Sequence, residues 1–151
     1  MGDRFPWAVP ASEGGTLEYA TTTQIFRHFL VASDELSSSK ILTCNSDLKH
    51  DKTADWSLLN NSNLSYFIGL DSDEAKPKTI LSGDRTISTN GNMMPGVWQV
   101  SSNGPVVWAK GIHRGYGNIG LADGSAQEDN KGALQKHLQV GQLGTNRFAV
   151  P

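Results

Sequence analysis

The chain has 151 residues, the length of one ordinary domain, and can bury enough surface to hold a core without disulfide or metal. Thirteen Lys and Arg against fifteen Asp and Glu give a net charge of −2 with no basic cluster, which argues against nucleic-acid binding by phosphate neutralisation. One cysteine, Cys44, excludes an internal disulfide and a cysteine-rich zinc site, and no apolar run approaches the ~20 residues that span a bilayer.

Residues 1–20 read as irregular loop, punctuated by Pro6, Pro10 and Gly14-Gly15. Thr21-Thr22-Thr23 offers hydroxyl caps, and Ile25, Phe29 and Leu36, with Phe26 and Leu30 beside them, make one apolar stripe. This spacing predicts an amphipathic helix over about Thr22 to Leu36. Lys40 to Thr43 reads as a strand or extended lead-in to a loop, and Asp47 to Asn63 as irregular loop with one short helical turn.

Leu64–Leu70 alternates and is rich in Tyr, Phe and Ile, so it reads as a strand. Lys78–Ser88 reads as its neighbour across the loop Asp71–Pro77. Val97–Ser101 and Val106–Ile112 flank Ser102-Asn103-Gly104-Pro105, which has the composition of a hairpin turn. Gly117–Ala122 follows, then Asp123-Gly124, a strong hairpin signal read as a type I′ turn. Leu134 and Leu138 predict a short helix from about Asp129 to Val140, ended by Gly141. A helix, antiparallel strands and a second helix give the α+β class, in one domain over residues 1–151.

Three segments in order carry a resemblance: Asn63-Leu64-Ser65-Tyr66-Phe67-Ile68-Gly69-Leu70-Asp71, then Leu81-Ser82-Gly83-Asp84-Arg85, then His113 followed after nine residues by Asp123-Gly124. Together with Cys44-Asn45-Ser46-Asp47, where Asn45 stands in place of a usual proline, the set resembles prepilin-type proteins related to type II secretion pseudopilins. The resemblance implies an amphipathic helix packed on an antiparallel sheet, as in a pseudopilin head, and a function in assembly within a type II secretion or type IV pilus-like system. Implied partners are other pseudopilin subunits or further copies of this chain, meeting through an exposed sheet face. It also implies an extracytoplasmic location and a membrane anchor in an N-terminal apolar helix. The present chain starts about where that helix would end and carries no targeting signal, so as expressed it would stay in the cytoplasm. The acidic calcium loop of the major pseudopilins is not recognisable in it.

Few residues suggest chemistry of their own. Asp123, Ser125, Gln127 and Asp129 fall at alternate positions, a spacing that suits oxygen ligation of calcium and equally one face of a strand after a tight turn. Asp71, Asp73 and Asp84 form a second candidate set. With calcium in either place, His113 becomes a candidate general base, and the rival function is a calcium-dependent hydrolase of a small ester or lactone, such as an acyl-homoserine lactone. A direct His113–Asp123 pair is disfavoured, because an intervening six-residue strand spans roughly 20 Å. Cys44 has no basic neighbour in the sequence and is expected to be structurally buried.

Overall fold

The computed structural model describes residues 4–92, 94–130 and 132–151. Eight strands, β1 (Tyr66–Gly69), β2 (Ile80–Asp84), β3 (Ile87–Thr89), β4 (Gly96–Ser101), β5 (Val106–Trp108), β6 (Gly117–Leu121), β7 (Ala126–Asp129) and β8 (Thr145–Val150), combine with two helices, α1 (Phe26–Leu30) and α2 (Ala133–Val140). Six strands form one antiparallel sheet in the order β4-β8-β1-β2-β6-β7, while β3 and β5 pair separately. The class is α+β.

The alternation in β1 and β8 sends side chains to opposite faces and builds two cores. On one face Phe67, Phe148, Val150, Ile119 and Leu121 pack with Leu134 and Leu138 of α2 and with Ile87, Val106 and Trp108 of the two-stranded ribbon. On the other, Ile68, Leu70 and Ala149 pack against Trp7, Ala20, Ile25, Leu42, Leu59 and Leu64. Both faces of the inner strands β1 and β8 are therefore covered by this chain itself. No helix among the described residues is long and apolar enough to cross a membrane.

Several expectations change. The Thr22–Leu36 helix is cut to the five residues of α1. Beyond Leu30 the backbone tightens into turns, with Ala32 N–H donating to Phe29 O (3.1 Å) and Ser33 N–H to Leu30 O (3.1 Å). Val31 and the serine- and aspartate-containing run that follows favour non-helical hydrogen bonding, which explains the early stop. The stripe still does its packing: Ile25, Phe26, Phe29, Leu30 and Leu36 all reach the second core. None of the threonine hydroxyls caps α1; Asn61 Oδ1 accepts from Phe26 N–H at 3.1 Å instead.

Lys78–Ser88 is two strands rather than one, with the chain leaving the large sheet at Arg85 and entering the ribbon at Ile87. The Ser102–Pro105 turn does not close a hairpin, because β4 pairs with β8 and β5 with β3. Lys40–Thr43 is mostly a 3-10 turn, Ser39–Leu42. The Asp123-Gly124 hairpin does form, between β6 and β7, but not through a type I′ turn. Gly124 N–H donates to Leu121 O (2.9 Å), only Gly124 has positive φ (81°), and Leu121 N–H donates to Ser125 O (2.9 Å). This is a three-residue loop in which a type I turn leads into a glycine bulge.

Candidate functional site

The loop after the Ser39–Leu42 turn is fastened to the sheet by a buried ion pair. Arg85 Nε and Nη2 each donate at 2.7 Å to the Asp47 carboxylate, and Ser65 Oγ donates to Asp47 Oδ2 at 2.9 Å. Burial works to raise the Asp47 pKa, but the hydrogen bonds from Arg85 and Ser65 and the Arg85 charge outweigh it and hold it below the ordinary value. Ser65 Oγ also accepts from Cys44 N–H at 2.9 Å. These contacts set the Cys44 side chain at the end of β2.

Three reactive groups meet there. His113 Nε2 lies 3.7 Å from Cys44 Sγ and 3.5 Å from Asp84 Oδ2. Asp84 is 1% exposed; its Oδ2 accepts from Asn118 N–H (2.7 Å) and Nδ2 (3.1 Å), while its Oδ1 has no partner among the described residues. Burial raises the Asp84 pKa, against the opposing pull of the Asn118 hydrogen bonds and His113. The nearby Tyr66 hydroxyl is also pushed up, by burial first and then by the negative fields of Cys44, Asp84 and Asp47. His113 stands on the wall of a cleft of about 380 Å³, beside Arg114, Tyr116 and Asn118. The His113–Gly117 loop turns sharply: Tyr116 N–H donates to His113 O (3.1 Å), with Arg114 (φ 56°) and Gly115 (φ 93°) both left-handed.

The predicted calcium residues do not assemble. Asp123 lies in the turn, where Ser125 N–H (2.9 Å) and Lys78 Nζ (3.0 Å) occupy its carboxylate. Hydrogen bonds from Ser125 and then Lys78 hold its pKa down to about 2. Gln127 is exposed on β7. Asp129 is buried at the far end of that strand, its Oδ1 3.0 Å from His137 Nε2, with burial raising its pKa against the pull of His137. Asp123 thus sits in the turn while Ser125, Gln127 and Asp129 follow one another into and along β7, roughly 13 Å from Ser125 to Asp129, instead of converging.

The second set is equally dispersed. Asp71 accepts from Arg147 N–H (2.7 Å), Nε (2.9 Å) and Nη2 (2.6 Å), and Asp73 Oδ1 caps its own loop at Ala75 N–H (2.9 Å). Because Tyr66 pairs with Asp84 across β1 and β2, Asp71 lies five residues, roughly 16 Å, along the strand from Asp84. Among the described residues, no group of three or more His, Cys, Asp or Glu side chains is placed to hold a metal ion. His113 and Asp123 occupy opposite ends of β6, as the strand arithmetic requires.

The residue that the sequence reading placed wrongly is Cys44. It is half-buried instead of enclosed, and its basic neighbour is His113, 69 positions away, which no local spacing signals. Comparison of the chain with known protein families, with characterised proteins and with solved structures returns no match.

Proposed function

We propose that this chain is the head of a pseudopilin-like subunit and works by assembly rather than by turning over a substrate. One observation carries the reading: the residues of the ordered motifs are spent on fastening the chain to itself. Asp47 and Ser65 bind the Cys44 loop to Arg85, Asp84 ties β2 to Asn118 of β6, and Asp123-Gly124 closes the β6–β7 hairpin. The carboxylates that a calcium-dependent hydrolase would need are held by Lys78, Arg147 and His137, so that rival is not advanced.

With both faces of the inner strands β1 and β8 covered, an assembly contact falls to the outer strands. Strands β4 and β7 end the sheet and present backbone groups that no further strand pairs. Their side chains there are largely exposed, Val97, Gln99 and Ser101 on β4 and Ala126, Gln127 and Glu128 on β7. In this reading the intact protein is anchored by an N-terminal apolar helix outside the cytoplasm, and neighbouring heads meet edge to edge. Sedimentation velocity over a rising concentration series tests it. The expected result is reversible self-association that Val97→Lys weakens, since a lysine on an edge strand opposes pairing. A particle that stays monomeric up to millimolar concentration contradicts it.

A further inference from the structure

We propose that Cys44 is a reactive thiol that exchanges with small disulfides, with His113 as its proton acceptor and Asp84 as the group that supports the imidazolium. This goes beyond the assembly reading and does not depend on it. The geometry is a three-body one: Cys44 Sγ and Asp84 Oδ2 both face the same nitrogen, His113 Nε2, at 3.7 and 3.5 Å. When that nitrogen takes the thiol proton, the resulting N–H⁺ lies between a thiolate and a buried carboxylate. Asp84 is 1% exposed and its Oδ1 accepts from no donor among the described residues, so its charge is not already neutralised and favours the imidazolium.

The surroundings choose the electrophile. Attack on an ester or lactone carbonyl builds charge on an oxygen, which needs free N–H donors beside the nucleophile. Two of the N–H groups beside the site are engaged: Cys44 N–H donates to Ser65 Oγ at 2.9 Å and Asn118 N–H to Asp84 Oδ2 at 2.7 Å. Attack on a disulfide places charge along a line of sulfurs and needs no such hole. The thiol of Cys44 gives its proton to His113, the thiolate attacks one sulfur of R–S–S–R, and a Cys44–S–S–R bond forms as the old S–S bond breaks. The departing thiolate then takes up the proton from His113 as R–SH. The half-buried thiol is 3.7 Å from His113 Nε2, and His113 lines the cleft together with Arg114, Tyr116 and Glu128, so charges of both signs face a disulfide that enters it. With one cysteine in the chain, no second thiol resolves the product internally, so the mixed disulfide persists until an external thiol reverses it.

The test uses oxidised glutathione at neutral pH and follows the mass gain of one glutathionyl group. The folded chain is expected to react at least about tenfold faster than the same chain unfolded in urea, with both rates referred to a free-cysteine peptide in the same buffer. His113→Gln, shown folded by circular dichroism, is expected to fall to the unfolded rate, and Cys44→Ser to gain no mass. A folded chain that reacts no faster than the unfolded one overturns the proposal without recourse to any variant. So does a folded His113→Gln protein that keeps the wild-type rate.

Discussion

At the residue scale, His28 carries the clearest pH dependence. It is 2% exposed, its Nδ1 lies 2.7 Å from Thr16 Oγ1, its Nε2 has no partner among the described residues, and Trp7 packs edge-on to the ring. Burial lowers its pKa to about 4, so the folded state holds the ring neutral while the unfolded chain protonates it below the ordinary 6.5. The unfolded state then binds more protons between those two values, and stability falls as pH drops from 6.5 towards 4. The loss approaches about 3 kcal/mol. Denaturant titrations across this range should show it, and His28→Gln should flatten the slope; an unchanged slope in that variant refutes the assignment. The Asp47–Arg85 pair gives a second prediction. Its side chains are 2% and 10% exposed, so Arg85→Ala leaves a buried carboxylate uncompensated, at a cost of about 3–5 kcal/mol at neutral pH. Because the folded Asp47 pKa is depressed, the pair's contribution is present above the ordinary carboxylate value and lost as pH falls through the folded one. The deficit of Arg85→Ala should therefore shrink in acid; a constant deficit would assign it to lost packing.

At the element scale, the sequence was informative where pattern and burial agree. Leu64–Leu70 overlays β1 because its side chains alternate between two cores, and Gly117–Ala122 overlays β6 because Ile119 and Leu121 enter one core while Asn118 between them is exposed. The Asp123-Gly124 hairpin was legible, but its type was not, since one left-handed residue and two give the same dipeptide. Gly124 has φ 81°, and a Cβ there meets no atom within 4 Å, so Gly124→Val costs only conformational strain. That strain should be about 1–2 kcal/mol, with Gly124→Asn milder because asparagine tolerates the left-handed region. Thermal melts of the two variants check the order. What stayed hidden was set by tertiary partners. α1 stops at Leu30 although the apolar stripe runs on to Leu36, because packing needs the side chains and not the helix. β8, central in the sheet, went unread as Thr145–Val150 carries only a short alternation at the end of the chain. The candidate site was half legible: His113 stood out by its motif, whereas Cys44 and Asp84 reach it through contacts 69 and 29 positions away in sequence.

At the scale of the whole molecule, residues 4–64 act as a cover for one sheet face. Trp7, Ile25, Leu42 and Leu59, from separate turns, meet Ile68 and Ala149 there. Ile25 is fully buried in that layer, so Ile25→Ala should cost about 2–5 kcal/mol and expose the cover to limited proteolysis before the sheet itself. Cleavage beginning in the β1–β2 region would show that the two layers do not separate in this way. In the proposed function, assembly falls to the outer strands of the sheet, because the inner strands are covered on both faces. Amide hydrogen exchange, followed strand by strand over a rising protein concentration, tests it most directly. Protection is expected to grow in the outward-facing amides of β4, β7 or both, while β1 and β2 stay unchanged. Exchange at β4 and β7 that is the same at every concentration would contradict it.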